Sequence, residues 1–183
     1  MSGFLGAILV IAAAAGGDGV PDRAAAAVDA YASQLKAALG GAMQSGGPVE
    51  AIEVCRNRAS EIAAEIGREA GVDMGRTALR VRNPGNQPDE WEMAVLRRFE
   101  AELAAGAAAE ELFAVDTKQT ASGMQHRYMA PIMTQPLCLA CHGSALDPAV
   151  KDVLQAHYPE DEATGFAIGD LRGAFTVSWI EAE

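Results

Sequence analysis

Phenylalanine, tryptophan and tyrosine make up only 5% of the chain, too few large rings to fill the middle of a domain by themselves. Basic residues are also scarce: 14 Lys plus Arg stand against 25 Asp plus Glu, a net charge of −11. That balance repels phosphate backbones and disfavours nucleic acid as a partner. No apolar run reaches the ~20 residues of a membrane-spanning helix. The longest, Phe4 to Ala15, stops after 12 residues. Against these shortages, half the chain is apolar and 21% is charged, so there is material for a packed core. At 183 residues the chain is one domain with appendages. Alanine runs such as Ala24 to Ala27 and Ala107 to Ala109 take positions that larger side chains usually fill. Either the core is thin or something besides side chains completes it.

The run from Phe4 to Ala15 has the length of a secretory signal's apolar region, and Ala13-Ala14-Ala15 before Gly16 offers small residues for cleavage. Met1 to Gly3 lacks the Lys or Arg such signals usually carry. The expectation is a periplasmic or otherwise exported protein, with residues 1–19 as signal peptide and linker and 20–183 as the domain. The mature chain has no transmembrane span on this reading.

Val28, Tyr31, Leu35, Leu39 and Met43 recur at helical spacing and predict a first helix. Pro48 suits the first turn of a second, whose stripe Ile52, Cys55, Ala59, Ile62 and Ile66 runs to a stop at Gly71. Thr77 to Arg82 alternates with period two and predicts a short strand. Asp89 and Glu92 have capping-box spacing ahead of Trp91, Val95, Phe99 and Leu103, a third helix ending near Gly106. Glu111 to Asp116, Gln125 to Met133 and Gly173 to Ile180 read as further strands. Helices first and strands later predict an α+β domain with an antiparallel sheet covered by helices on one face.

The chemistry lies in Cys138-Leu139-Ala140-Cys141-His142, the C-x-x-C-H attachment sequence of c-type haem. Two thiols one helical turn apart can each add to a haem vinyl group, and the adjacent imidazole is then held under the iron. A structural zinc site would need Cys55 with His126 or His157 at a spacing unlike paired knuckles. A redox dithiol belongs at the helix start of a βαβ unit that this sequence does not show, and a disulfide is the remaining alternative. One motif predicts one haem, and a flat apolar disc would also supply the volume that the scarce aromatics do not. With His142 on one side of the iron, the other axial position could go to Cys55, Met124, Met129, Met133, His126 or His157. Met would raise the potential, His would lower it and a thiolate would lower it further.

Gly47-Pro48 to Cys55, Gly75 to Pro88 with Trp91-Glu92, Tyr128-Met129-Ala130-Pro131-Ile132, Cys138 to Gly143 and Tyr158 to Phe175 occur in one order. In that combination the chain resembles the Tll-like haem-binding domain family over about Val28 to Ile180. The resemblance implies a PAS-like fold and a single haem c bound through Cys138 and Cys141. It implies His142 as one axial ligand and the helix cysteine, Cys55, as the other. Arg80 and Arg82 share one face of the expected strand and are candidates to neutralise haem propionates by forked hydrogen bonds. The function expected is a redox or small-gas sensor, with nitric oxide or carbon monoxide as ligand. The alternative is a low-potential electron carrier with a redox partner protein. No enzymatic turnover is expected, because no acid–base constellation stands out in the sequence.

Overall fold

A computed structural model describes residues 19–182. Of the expected signal peptide and linker at 1–19, residues 1–18 lie outside the described residues. Helix α1 spans Val20–Ser45 and opens on Pro21, whose missing N–H costs nothing in a first turn. Helix α2, Gly47–Glu53, follows with Pro48 in its own first turn. Its axis runs on through a π-helical turn, Val54–Arg58, into α3, Ala59–Ala70. Gly71 then closes α3 in the left-handed conformation at φ 67°, and Val72 N–H reaches back to the Gly67 carbonyl.

Strand β1 is Asp73–Thr77 and ends where the sequence pattern begins its strand. Residues 78–82, expected as that strand, are irregular. Arg80 and Arg82 reach out to a distant loop while Ala78, which a strand would place on their face, turns inward with Val81, so the alternation does not hold. Helix α4, Glu90–Ala104, starts with the full capping box: Asp89 accepts from the Glu92 amide, and Glu92 accepts from the Asp89 amide. Strands β2 (Ala114–Thr120), β3 (Gly123–Met133) and β4 (Leu171–Glu181) complete an antiparallel sheet in the order β1-β4-β3-β2. Between β3 and β4 lie the short helix α5, Leu139–His142, and α6, Pro148–His157.

Helices cover both faces of this sheet, not one. Tyr128, Val177 and Trp179 pack under α1 and α3 with Tyr31, Ile62 and Ile66. Their strand neighbours Met129 and Ala174 point the other way and pack with Ala114 against Val95, Leu96 and Phe99 of α4. Strands buried on both sides need apolar residues on both, which is why β3 and β4 lack clean polar alternation. A third cluster, Ile52 with Val150 and Leu154, presses α2 onto α6 and touches Cys141. Among the described residues no helix is long and apolar enough to cross a membrane.

Candidate functional site

A cavity of about 1060 Å³ lies between the α1–α3 layer, the β1 side of the sheet and the segment carrying α5. It stands at the top of the ~300–1,000 Å³ range of cofactor sites. Cys55, Cys138, Cys141 and His142 all line it.

Pro136 opens a 3-10 turn that runs directly into α5 and sets Cys138 one turn before Cys141. Gln135 N–H donates to Cys138 Sγ at 3.4 Å, and the Cys141 thiol faces the Pro48 carbonyl at 3.8 Å. None of the three cysteines is paired in a disulfide. Burial raises the pKa of Cys141, Arg82 lowers it, and the nearby Cys55 and Cys138 raise it further. Cys55 likewise adds to the burial that raises the Tyr31 and Tyr158 hydroxyls.

His142 is held in one tautomer. Its Nδ1–H donates to the Ala163 carbonyl at 2.6 Å, and its ring meets Phe166 edge-on at 6.2 Å. Nε2, with no hydrogen-bond partner among the described residues, keeps its lone pair for a metal, the arrangement that orients ligating histidines. Burial, then the charges of Arg172 and Arg82, push its pKa down to about 2, so the imidazole is neutral. The loop that supplies Ala163 is itself tied to α5: Phe166 N–H donates to the His142 carbonyl at 2.9 Å and Gly165 N–H to that of Gly143 at 3.0 Å.

Arg82 and Arg80 organise this loop. Arg82 Nε pairs with Asp161 at 2.9 Å, and its Nη2 donates to the Cys141 carbonyl at 2.6 Å and the Ala163 carbonyl at 3.2 Å. Asp161 also accepts from the Ala163 amide at 2.8 Å. Arg80 donates to the Thr164 carbonyl at 2.9 Å and stacks over Phe166 at 3.7 Å. Arg82 lines the cavity and Arg80 does not. The two do not share a strand face, because there is no strand beneath them.

Of the other axial candidates, Met133 lines the cavity with Cys55. Met129 is fully buried on the α4 face. His126 stacks on Trp179 at 5.0 Å between Thr117 and Glu181, and His157 pairs with Glu53 at 3.0 Å. Among the described residues no three His, Cys, Asp or Glu side chains gather as they would around a metal held by protein alone.

Three features escaped the sequence reading. The π turn sets Cys55 within the five residues Val54–Arg58, and such turns frequently mark functional sites. Asp161 forms the buried ion pair. Arg172 enters the cavity wall from β4. Asp161 and Arg172 both lie in the stretch Tyr158 to Phe175 that carried part of the resemblance, the one signal that pointed to them.

A search of curated proteins finds no match. Among solved structures, one described as the crystal structure of the cyanobacterial heme-protein Tll0287 is similar at a TM-score of 0.64 and 25% identity. The match covers 89% of this chain and 98% of that one. The family model described as Tll0287-like matches residues 18–179, and the chain belongs to that family.

Proposed function

We propose that this chain is an exported protein carrying one covalent haem c, and that it acts as a redox or small-gas sensor. The observation that carries the reading is the sharing of one large cavity by the C-x-x-C-H turn, a neutral His142 with its Nε2 free, and Cys55 on a π turn. The donors fit such a group. Cys138 and Cys141 would hold it by thioether bonds, and His142 Nε2 and Cys55 Sγ would take the axial positions. Haem so bound supplies a one-electron couple and, where an axial residue is withdrawn, a position for a small neutral ligand.

The chain's own contribution is unequal firmness at the two axial residues. His142 is fixed by the Ala163 carbonyl, which Arg82 holds in turn. Cys55 sits on a turn holding one residue more than an α-helical one, so relaxing it rotates one end of the helix by about 100° against the other. That motion would take the thiol off the cavity and shift α2, which packs on α6. Sensing would then be read out as a helix movement. We assign the protein no turnover of its own: peroxide consumption by wild type and Cys55→Ala should not exceed that of a free haem peptide.

The test is ferric and ferrous absorption and EPR of wild type and Cys55→Ala, produced with haem-maturation machinery, with and without carbon monoxide or nitric oxide. Pigment that stays with the chain in acidic organic solvent, a ferric spectrum altered by Cys55→Ala, and a gas adduct of the reduced wild type are expected. A colourless or extractable product overturns the covalent haem, and an unaltered Cys55→Ala spectrum overturns the thiolate. Two axial ligands kept in both oxidation states, with no gas adduct, would favour a low-potential electron carrier.

A further inference from the structure

The cavity wall carries more positive charge than the protein supplies anions to meet. Arg82 has its carboxylate, Asp161, at 2.9 Å. Arg172 and Arg76 also line the cavity, and neither makes an ion pair among the described residues. Arg172 Nε is buried with no partner, and its one hydrogen bond among the described residues runs from Nη1 to the Arg80 carbonyl at 3.3 Å. Arg76 lies 5.9 Å over the Tyr31 ring. The acidic residues on the same wall, Asp73 and Glu110, are exposed and pair with neither arginine. This happens in a chain whose net charge is −11, where a carboxylate partner would be the easiest thing to find.

The backbone has been adjusted to put Arg172 there. In the β3–β4 ladder Ile132 pairs with Gly173 and Met133 with Leu171, so Arg172 is the extra residue of a β-bulge. Bulges re-aim a side chain, and they concentrate beside functional sites. Gly173 next to it has no room for a side chain, since a Cβ would collide with the Thr77 carbonyl. Stacking of the guanidinium 5.2 Å over Phe166 accounts for its plane but not for its charge. Leaving a charge buried and unpaired is costly, and the cost is relieved by an anion with which it can hydrogen-bond.

We propose that Arg172, with Arg76 beside it, is the counter-charge for the carboxylate substituents of the group bound in this cavity. The inference rests on the haem reading above, haem being a dianion at its edge, and it assigns those carboxylates to two arginines other than Arg80 and Arg82. Arg172 offers Nε and Nη2 as a fork, the geometry that grips a carboxylate with two parallel hydrogen bonds. Burial, followed by repulsion from Arg82 and Arg76, pulls the Arg172 pKa down to about 10, which leaves it charged at neutral pH.

The experiment uses holoprotein and three variants, Arg172→Gln, Arg172→Lys and Arg76→Gln, read by resonance Raman of the propionate-bending bands and by the midpoint potential. Arg172→Gln and Arg76→Gln should each move a propionate band and lower the midpoint, because removing a nearby cation favours the ferric state. Arg172→Lys should restore most of the midpoint but not the band, since a lysine keeps the charge and loses the fork. If Arg172→Gln does not accumulate, the other two variants decide the question by the same readings. Pigmented variants whose bands and midpoint match wild type overturn this inference alone. A wild type with no covalent pigment overturns the haem reading and this inference with it.

Discussion

Replacing Asp161 with alanine should do more damage than its place in a loop suggests. The carboxylate is 9% exposed and faces an Arg82 side chain that is 10% exposed, at 2.9 Å. Without it a buried guanidinium keeps, among the described residues, two carbonyl acceptors, Cys141 and Ala163. Removing one partner of a buried pair costs about 3–5 kcal/mol, mostly the penalty of the charge left behind. For a domain of this size each kcal/mol lowers Tm by about 2–4 °C, so the drop should be about 6–20 °C. The amide of Ala163 loses its acceptor at the same time. The Ala163 carbonyl also fixes Nδ1 of His142, so the perturbation should reach the imidazole. The assay is thermal unfolding of holoprotein by circular dichroism, with low-temperature EPR on the same samples. Asp161→Asn should fall between wild type and Asp161→Ala, because it keeps an acceptor for the Ala163 amide and loses only the charge. A Tm for Asp161→Ala within about 2 °C of wild type, less than ~1 kcal/mol, would refute the reasoning.

Two further predictions concern parts of the molecule away from the cavity. Phe99 is fully buried on the α4 face of the sheet, so Phe99→Ala should cost about 3–5 kcal/mol in denaturant unfolding while leaving the visible spectrum of the folded protein unchanged. Burial raises the pKa of Asp89, but the Glu92 amide and the Arg127 guanidinium outweigh it, and the net value lies below the ordinary 3.8. The folded state then binds fewer protons than the unfolded one near that pH, so Asp89's contribution is complete above about pH 4 and is lost as pH falls through its lowered value. Asp89→Asn keeps the cap without the charge and should flatten the acid limb of a stability-against-pH curve; an unchanged limb would remove Asp89 from the account.

What was legible in the sequence was what chemistry forces to be local. The proposed thioether attachment and ligation by a neighbouring imidazole would need five consecutive residues, and Cys138 to His142 carry that pattern independently of the fold. The capping box at Asp89 and the stop at Gly71 are local in the same sense, and both stand as expected. The arginines are the opposite case. Arg80 and Arg82 alternate as strand residues do, but their partners lie 79 to 84 positions away, at Asp161 and Thr164, and no period records a contact so distant. The bulge at Arg172 is invisible for the same reason, because it exists only as a mismatch of register with β3. Cys55 falls between the two: its inward stripe was readable, while the π turn under it was not.

The low aromatic content and the cavity are one fact seen twice. Helices α1 to α3 place alanines, among them Ala51, Ala59 and Ala63, on the cavity wall, and these are buried residues with little volume to contribute. Larger side chains there would close the space and give a conventional core, at the loss of the site. The antiparallel pairing of β1 with β4 then brings Arg76 and Arg172, nearly a hundred residues apart in sequence, to the edge of that space. Neither feature stabilises the chain by itself: small side chains bury little apolar area, and unpaired guanidinium groups oppose folding. Both become favourable when a flat apolar body with anionic substituents fills the cavity. In this reading the shortage of aromatic rings and the surplus of half-buried positive charge have a single cause, since the last component of the core is not encoded as amino acid.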